Sequence, residues 1–301
     1  MEIAVTGASG LIGTALIASL EADGHRVRRL VRGGGAAPGS VGWDPVAGSI
    51  EAGGLDGVEA VVHLAGEGIG EKRWSSEQKE RIRSSRSQGT ALIARSVAAM
   101  ATPPRVLLSA SAIGWYGDRG DELLTEASSL PEPIDFLSQV CVDWEAATAP
   151  AVDAGIRSVL LRTGIVLTPK GGALGRMITP FRLGLGGKIA SGKQWMSWIS
   201  LEDEIGAILH LLREESVSGP VNLTAPAPVT NLEFTKALGT AVHRPTILPT
   251  PLAPLKLALG AELVTALLVN GQRVQPAVLE ASGYKFKHPD IASAFASILA
   301  K

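Results

Sequence analysis

Three glycines, Gly7, Gly10 and Gly13, follow the apolar run Ile3-Ala4-Val5 and open an Ala/Leu-rich helical pattern of Leu11, Ala15, Leu16, Ala18 and Leu20. A buried strand, a glycine turn and a helix N-terminus in that order make a phosphate site. Backbone N–H groups and the positive end of the helix dipole converge on one point there. Gly7 permits the tight turn, Gly10 lets a pyrophosphate come close, and Gly13 lets the helix pack on the strand. The expected ligand is a dinucleotide; the plain alternative is a structural glycine turn with nothing in it.

A second group of residues bears on which dinucleotide and what chemistry. The segment Arg26–Arg32 reads as the next strand, and it ends in Val31-Arg32 with no acid before Asp44. An acid at that point binds the 2′-hydroxyl of NAD, whereas an arginine suits the 2′-phosphate of NADP, which a guanidinium grips bidentately. The spacing therefore favours NADP, against the alternative of a solvated edge arginine. Ser109 and Ser111 close the strand Arg105–Ala112, and open α/β sheets hold ligands at the carboxyl ends of their strands. Ser111 is the best donor to a substrate carbonyl or hydroxyl, or else a strand-end cap. Tyr116, five residues on, is the only nearby phenol; it is either an acid–base group or a ring packed on substrate. His63 reads as a strand histidine with a core or structural role. Cys141 is helical and buried, not a nucleophile by default. Trp195 and Trp198 line a substrate pocket or serve as ordinary core aromatics. No His, Cys or carboxylate spacing points to a metal.

The elements that must hold these groups alternate between strand and helix. Ala60–Gly66 reads as a fully buried strand whose small exit, Leu64-Ala65-Gly66, should lie beside the glycine turn. A helix runs from about Ser76 to Met100 with a break near Ser84-Ser85. A further helix covers Asp135–Ala149, and a strand covers Ser158–Leu167. Gly33–Gly42 reads as a flexible loop. This pattern predicts an α/β fold, a Rossmann-type doubly wound parallel sheet over 1–168. After about 168 the alternation is less clean. A helix starts with acids at Glu202-Asp203-Glu204, Val221-Asn222-Leu223 is a short strand, and Pro249–Val269 is helical. Residues 169–301 are therefore read mainly as a smaller C-terminal substrate lobe, with later segments able to return to the sheet.

Composition narrows the classes. The 301 residues are 46% hydrophobic and 19% charged, enough for a sizeable core. Lys+Arg 28 against Asp+Glu 29 leaves no electrostatic footprint for nucleic acid. One cysteine excludes an internal disulfide and fits a reducing compartment. No cationic, apolar leader precedes the first strand, and the longest apolar stretch, Leu257–Val269, carries Glu262 and is too short for a bilayer. The expectation is a soluble, cytoplasmic protein with a small-molecule substrate and no membrane or nucleic-acid partner.

With these motifs in place the chain resembles the short-chain dehydrogenase/reductase superfamily, extended type. The resemblance rests on Thr6-Gly7-Ala8-Ser9-Gly10-Leu11-Ile12-Gly13, His63-Leu64-Ala65-Gly66, the serine-rich strand end with Tyr116-Gly117, and Arg162-Thr163-Gly164. It is closer still to the atypical branch called the epimerase family, with a C-terminal segment of the DUF1731 type. That likeness is carried by Ser109–Gly117, Trp144-Glu145-Ala146-Ala147, Gly192–Ile199 and Asn270-Gly271-Gln272-Arg273-Val274-Gln275-Pro276, and it covers essentially the whole chain. It implies dinucleotide contacts at Gly7, Gly10, Leu11, Ile12, Gly13, Val31, Arg32, Leu64, Ala65 and Arg86, with Gly164-Ile165-Val166 flanking the nicotinamide. It also implies a homodimer through the helices at 76–100 and 135–149.

One departure stands out. In the superfamily a tyrosine and a lysine four residues later on one helix do the acid–base work, and a serine orients the carbonyl. Here the matching helix, Asp135–Glu145, has neither, and the only tyrosines in the chain are Tyr116 and Tyr284. The superfamily's helix asparagine, three residues before Gly89, is Arg86. This fixed cation could neutralise a phosphate, take the missing lysine's place, or simply form a surface salt bridge. The resemblance thus implies an NADP-dependent oxidoreductase or epimerase acting on a small sugar-like or carbonyl substrate, with Ser111 and Tyr116 as the catalytic candidates. The alternative is a non-catalytic NADP(H)-binding or redox-sensing protein.

Overall fold

The computed structural model describes residues 1–34 and 39–300, so residues 35–38 of the Gly33–Gly42 loop lie outside the described residues. In chain order the strands are β1 (Glu2–Thr6), β2 (Arg26–Arg32), β3 (Ser40–Asp44), β4 (Ser49–Ile50), β5 (Ala60–His63), β6 (Val106–Ala112) and β7 (Leu123–Leu124). They continue with β8 (Arg157–Thr163), β9 (Ile165–Leu167), β10 (Trp195–Met196), β11 (Trp198–Ser200), β12 (Gly219–Leu223), β13 (Val229–Thr230) and β14 (Arg273–Val274). Eight form one sheet in the order β12-β8-β6-β5-β1-β2-β3-β4. Its pairs are parallel, apart from β3 with β4. The order reverses at β1, which has β2 on one side and β5 on the other. In doubly wound sheets the ligand crevice opens outside the strand ends at that switch point.

The helices that cover the sheet are α1 (Leu11–Ala22), α2 (Ser76–Ala98), α3 (Phe136–Ala146), α4 (Ala149–Asp153), α5 (Gly172–Arg182), α6 (Leu201–Arg213) and α7 (Asn231–Ala241). Alternation along β1 decides the layering. Ile3 and Val5 pack with Leu16, Leu20, Ile208 and Leu211 of α1 and α6, while Ala4 faces Leu92, Ile93 and Val97 of α2. Both faces are covered, which is why the middle of β1 (Ile3-Ala4-Val5) and most of β5 (Ala60-Val61-Val62) are apolar. A third cluster, built on Leu174, Phe181, Trp198, Phe234 and Phe295, forms the core of the C-terminal lobe.

Four segments depart from the sequence reading. The α2 helix is unbroken at Ser84-Ser85. The hydroxyls of Ser84 and Ser87 donate to the carbonyls of Glu80 and Arg83, 2.7 and 3.1 Å away, so the polar stretch satisfies itself within the helix. The 135–149 helix ends at Ala146, and a short helix with Pro150 in its first turn follows. The strand expected over 158–167 divides at Gly164. There the chain leaves the main sheet, and β9 pairs with β11; a Cβ at Gly164 would stand 2.6 Å from the Ser197 carbonyl. The 249–269 helix is cut at Gly260, whose φ of +94° no other residue adopts easily. Residues beyond 168 also return to the sheet: β12 pairs with β8, and α6 lies on α1.

Candidate functional site

At the exit of β1 the backbone is folded so tightly that side chains have no room. Gly7 has φ +66°, and a Cβ there would stand 2.9 Å from the Leu64 carbonyl carbon. A Cβ on Gly13 would stand 2.2 Å from the Gly7 oxygen. The Gly10 N–H donates to the Gly7 carbonyl at 2.9 Å. The N-terminus of α1 that results has Gly10 as its cap and no side chain on its first N–H groups, whereas α2, α3, α6 and α7 are capped by Ser75, Asp135, Ser200 and Thr230. Uncapped N–H groups at a glycine turn suit an anion.

Thr6 fixes the neighbouring strand exit. Its Oγ1 accepts from the N–H groups of Leu64 and Ala65 at 3.0 and 3.2 Å and lies 2.8 Å from His63 Nδ1. With both lone pairs taken, the hydroxyl proton goes to His63 Nδ1 and leaves the ring proton on Nε2. Burial pulls the His63 pKa down to about 4, so the ring is a neutral brace. It keeps Leu64 and Ala65 against the glycine turn.

The end of β2 lies on the other side. Arg26 and Arg28 pair with Glu2, and Arg29 pairs with Glu21. Exposed Arg32, which neighbours Trp43 of β3, has no acidic partner among the described residues. Val31 precedes it, half-buried. Across the crevice, Leu11 touches the Gly171-Gly172 turn, and a Cβ on Gly172 would lie 3.7 Å from the Val166 carbonyl. The residues expected to hold a dinucleotide thus lie at neighbouring strand exits and turns: Gly7, Gly10, Leu11, Ile12 and Gly13 after β1, Val31 and Arg32 at the end of β2, Leu64 and Ala65 after β5, and Val166 in β9.

Ser111 and Tyr116 belong to a separate, sealed network at the exits of β6 and β8. Ser111 Oγ donates to Glu145 Oε1 at 2.7 Å. Arg162 clamps the same carboxylate with two bonds of 2.8 Å, Nε to Oε1 and Nη2 to Oε2, and its side chain is only 4% exposed. The guanidinium stacks 3.7 Å from the Trp115 ring centroid and donates from Nη1 to the Tyr116 oxygen at 3.1 Å. The Tyr116 hydroxyl in turn donates to Asn222 Oδ1 at 2.7 Å, and Asn222 Nδ2 donates to the Gln275 carbonyl. Tyr116 is fully buried, and burial raises its pKa. Both its donor and one acceptor position are used inside the protein, so in this arrangement the phenol faces no open site.

The facing helix α3 presents Leu137, Cys141 and Glu145 at four-residue spacing on one side. Leu137 Cβ and Cys141 Sγ lie 3.6 and 3.7 Å from where a Cβ on Gly114 would be. The face toward the β6 exit is therefore a leucine and a thiol, and burial pushes the thiol pKa up to about 12. Half-buried Arg86 of α2 enters from the side: its guanidinium lies 4.9 Å from the Trp144 ring and donates to the Ile82 carbonyl at 2.9 Å. It does not form the surface salt bridge considered as its alternative; no carboxylate among the described residues lies within pairing distance.

Sequence reasoning missed three buried polar positions and left one tryptophan open. Glu145 reads in the sequence as an ordinary helix acid, yet its side-chain partners are Ser111 and Arg162 on other elements. Asn222 anchors Tyr116. Glu204 was counted with the first-turn acids of α6, but it is fully buried, accepts from Thr163 Oγ1 at 3.0 Å, and burial raises its pKa to about 8. Its spacing to Ile208 and Leu211 on the buried stripe was the available signal. Trp198, one of two pocket candidates, is core: it is fully buried with its Nε1–H on the Ala227 carbonyl, whereas Trp195 donates to Asp121 and lies under Arg273.

Residues 3–223 match the NAD dependent epimerase/dehydratase family, and residues 250–298 match a domain of unknown function, DUF1731. The chain is 46% identical over 292 residues to Epimerase family protein Mb2239 of Mycobacterium bovis, covering 97% of this chain and 95% of that protein. It is 36% identical over 305 residues to human Epimerase family protein SDR39U1, covering all of both. The crystal structure of the human protein with NADPH superposes with TM-score 0.91 at 35% identity over 99% of each chain. UDP-N-acetylglucosamine 4-epimerase from Bacillus cereus shares the fold, with TM-score 0.75 at 18% identity over 99% of this chain and 98% of that one. No described helix is long and apolar enough to cross a membrane. No group of three or more metal-ligating side chains occurs among the described residues.

Proposed function

Because this chain belongs to the NAD dependent epimerase/dehydratase family, we propose that it is an NADP(H)-binding atypical short-chain dehydrogenase/reductase. The observation that carries this is the tight turn with Gly7, Gly10 and Gly13 under an uncapped helix, with Arg32, which has no acidic partner among the described residues, at the end of the neighbouring β2. The N–H groups of Leu11, Ile12 and Gly13 would hold the pyrophosphate. Arg32 would take the 2′-phosphate, with Val31, Leu64, Ala65 and Val166 as apolar walls and Arg86 as a further cofactor contact. The related human protein crystallised with NADPH supports the same reading.

When bound, NADP(H) supplies or accepts a hydride at nicotinamide C4. The remaining tasks fall to the chain. Ser111, at the β6 exit, is the candidate to orient a carbonyl or hydroxyl of a small sugar-like or carbonyl substrate, a role that requires its hydroxyl to turn from Glu145, to which it donates, toward the substrate. Glu145, held by Arg162, fixes the Ser111 hydroxyl. Tyr116, nominated as a proton donor, fits better as a brace between Arg162 and Asn222. Calorimetric titration with NADPH and NADH tests the binding. A panel of carbonyl compounds with NADPH tests turnover, which Ser111→Ala should abolish.

One observation favours a second reading, a non-catalytic NADP(H)-binding or redox-sensing protein. The α3 face offers Leu137 and a thiol with a pKa near 12 where acid–base catalysis would want a titratable pair. Under that reading NADPH raises the melting temperature, and no compound in the panel is turned over.

A further inference from the structure

The sheet order gives a bound dinucleotide a direction. Its 2′-phosphate end is at the β2 exit with Arg32, its pyrophosphate at the β1 turn, and its nicotinamide end therefore toward the exits of β5 and β6. Arg86 stands on that last stretch. A Cβ on Gly66, three residues past the end of β5, would lie 3.3 Å from the Arg86 guanidinium carbon and 3.5 Å from Nη2. On its other side the guanidinium lies against Trp144 of α3. The chain has thus spent a glycine and an aromatic face on fixing one cation between the β5 exit and α3.

The hydrogen-bond inventory of that cation is incomplete. A guanidinium carries five N–H donors, and among the described residues only Nη1 is used, to the Ile82 carbonyl. Nε and Nη2 are not among the buried polar atoms without partners, so they keep access to solvent or ligand. The neighbouring charged group is Glu67. It makes no ion pair with Arg86, and its Oε1 instead accepts from Gln78 Nε2 at 3.4 Å. Cys141, the other titratable neighbour, is neutral, because burial raises its pKa. These two nitrogens carry three N–H groups that no protein acceptor among the described residues takes, beside the β5 exit.

We infer that Arg86 grips the ribose hydroxyls at the nicotinamide end of the dinucleotide, acting from α2 as the cation that α3 lacks. The inference rests on the proposed NADP(H) binding. It takes one of the two roles the sequence leaves open for Arg86 and assigns the pyrophosphate to the α1 N-terminus alone.

The test is binding, not turnover. Dissociation constants are measured by calorimetry for two probes: NADPH, and 2′-phospho-ADP, which keeps both ends of the pyrophosphate but has no second ribose. The variants are Arg86→Met, which keeps the apolar stem against Trp144, and Arg86→Lys. Arg86→Met should weaken NADPH roughly tenfold to a hundredfold, the effect of losing charge-assisted hydrogen bonds, and leave 2′-phospho-ADP unchanged. Arg86→Lys should recover part of the loss. Equal weakening of both probes would overturn the inference in favour of a pyrophosphate contact, and unchanged NADPH binding would overturn it outright. If Arg86→Met does not fold, Arg86→Lys alone decides: weakening confined to NADPH supports the ribose contact, and any other pattern refutes it. Wild-type protein that binds neither probe would instead remove the NADP(H) reading itself.

Discussion

Glu145 and Arg162 meet oxygen for nitrogen on both sides, at 2.8 Å twice, with the Glu145 side chain 10% and the Arg162 side chain 4% exposed. The pair joins α3 to β8 and holds Ser111 and Tyr116 at its two ends. Bidentate geometry offsets the desolvation that both charges suffer, and removal of one partner strands the other. Glu145→Gln should therefore cost about 3–5 kcal/mol. Urea unfolding followed by tryptophan fluorescence measures it. A loss below about 1 kcal/mol would mean that the pair contributes little.

The glycine turn leaves no room for a side chain at residue 13. A Cβ at residue 13 would sit 2.2 Å from a backbone oxygen, so the helix must move off the strand. Gly13→Ala should lower the melting temperature and abolish NADPH binding, both read in one thermal-shift series with and without nucleotide.

Under the proposed function Arg32 sets the preference between NADPH and NADH. Arg32→Ser should weaken NADPH about tenfold to a hundredfold, the value of a bidentate phosphate contact, while NADH changes little. The two dissociation constants, measured side by side, give the ratio. Equal losses for both nucleotides would assign the 2′-phosphate to another group.

Glu204 makes stability fall with rising pH. Below about pH 4.5 its carboxyl is neutral in both folded and unfolded chains. From there to about pH 8 the unfolded chain releases the proton and the folded chain keeps it, because burial raises the folded pKa to about 8. Stability should drop across that window by a few kcal/mol and level off above it. Glu204→Gln, which keeps an oxygen for Thr163 Oγ1, should flatten the decline. Denaturation midpoints at pH 6 and pH 9 for both proteins decide the matter.

The sheet and the glycine turn at its centre were legible in the sequence because they follow from local rules. Ile3, Val5 and the 60–63 run declare strands, and Gly7, Gly10 and Gly13 declare a turn that excludes side chains. The sealed network was not legible, since Ser111, Glu145, Arg162 and Asn222 are brought together only by the parallel pairing of β6, β8 and β12 and the docking of α3. Nothing local distinguishes Glu145 from a surface helix acid. The break at Gly164 was hidden for the same reason: the Ser197 carbonyl that demands a glycine there comes from the residue just before β11, more than thirty residues on. Arg86 shows the middle case. Its position in the helix was visible, but the stacking on Trp144 and the fit against Gly66 depend on how α2 and α3 pack.

The return of β12 and α6 to the sheet has a consequence for any attempt to dissect the protein. A fragment ending near residue 168 would leave β8 as a bare edge, its N–H and C=O rows open along Val159 and Leu161. It would also strip the oily inner side of α1, since Ile208 and Leu211 would be gone. The nucleotide-binding half of this chain is thus not a detachable module: it is completed by α6 and β12, which follow it in the chain.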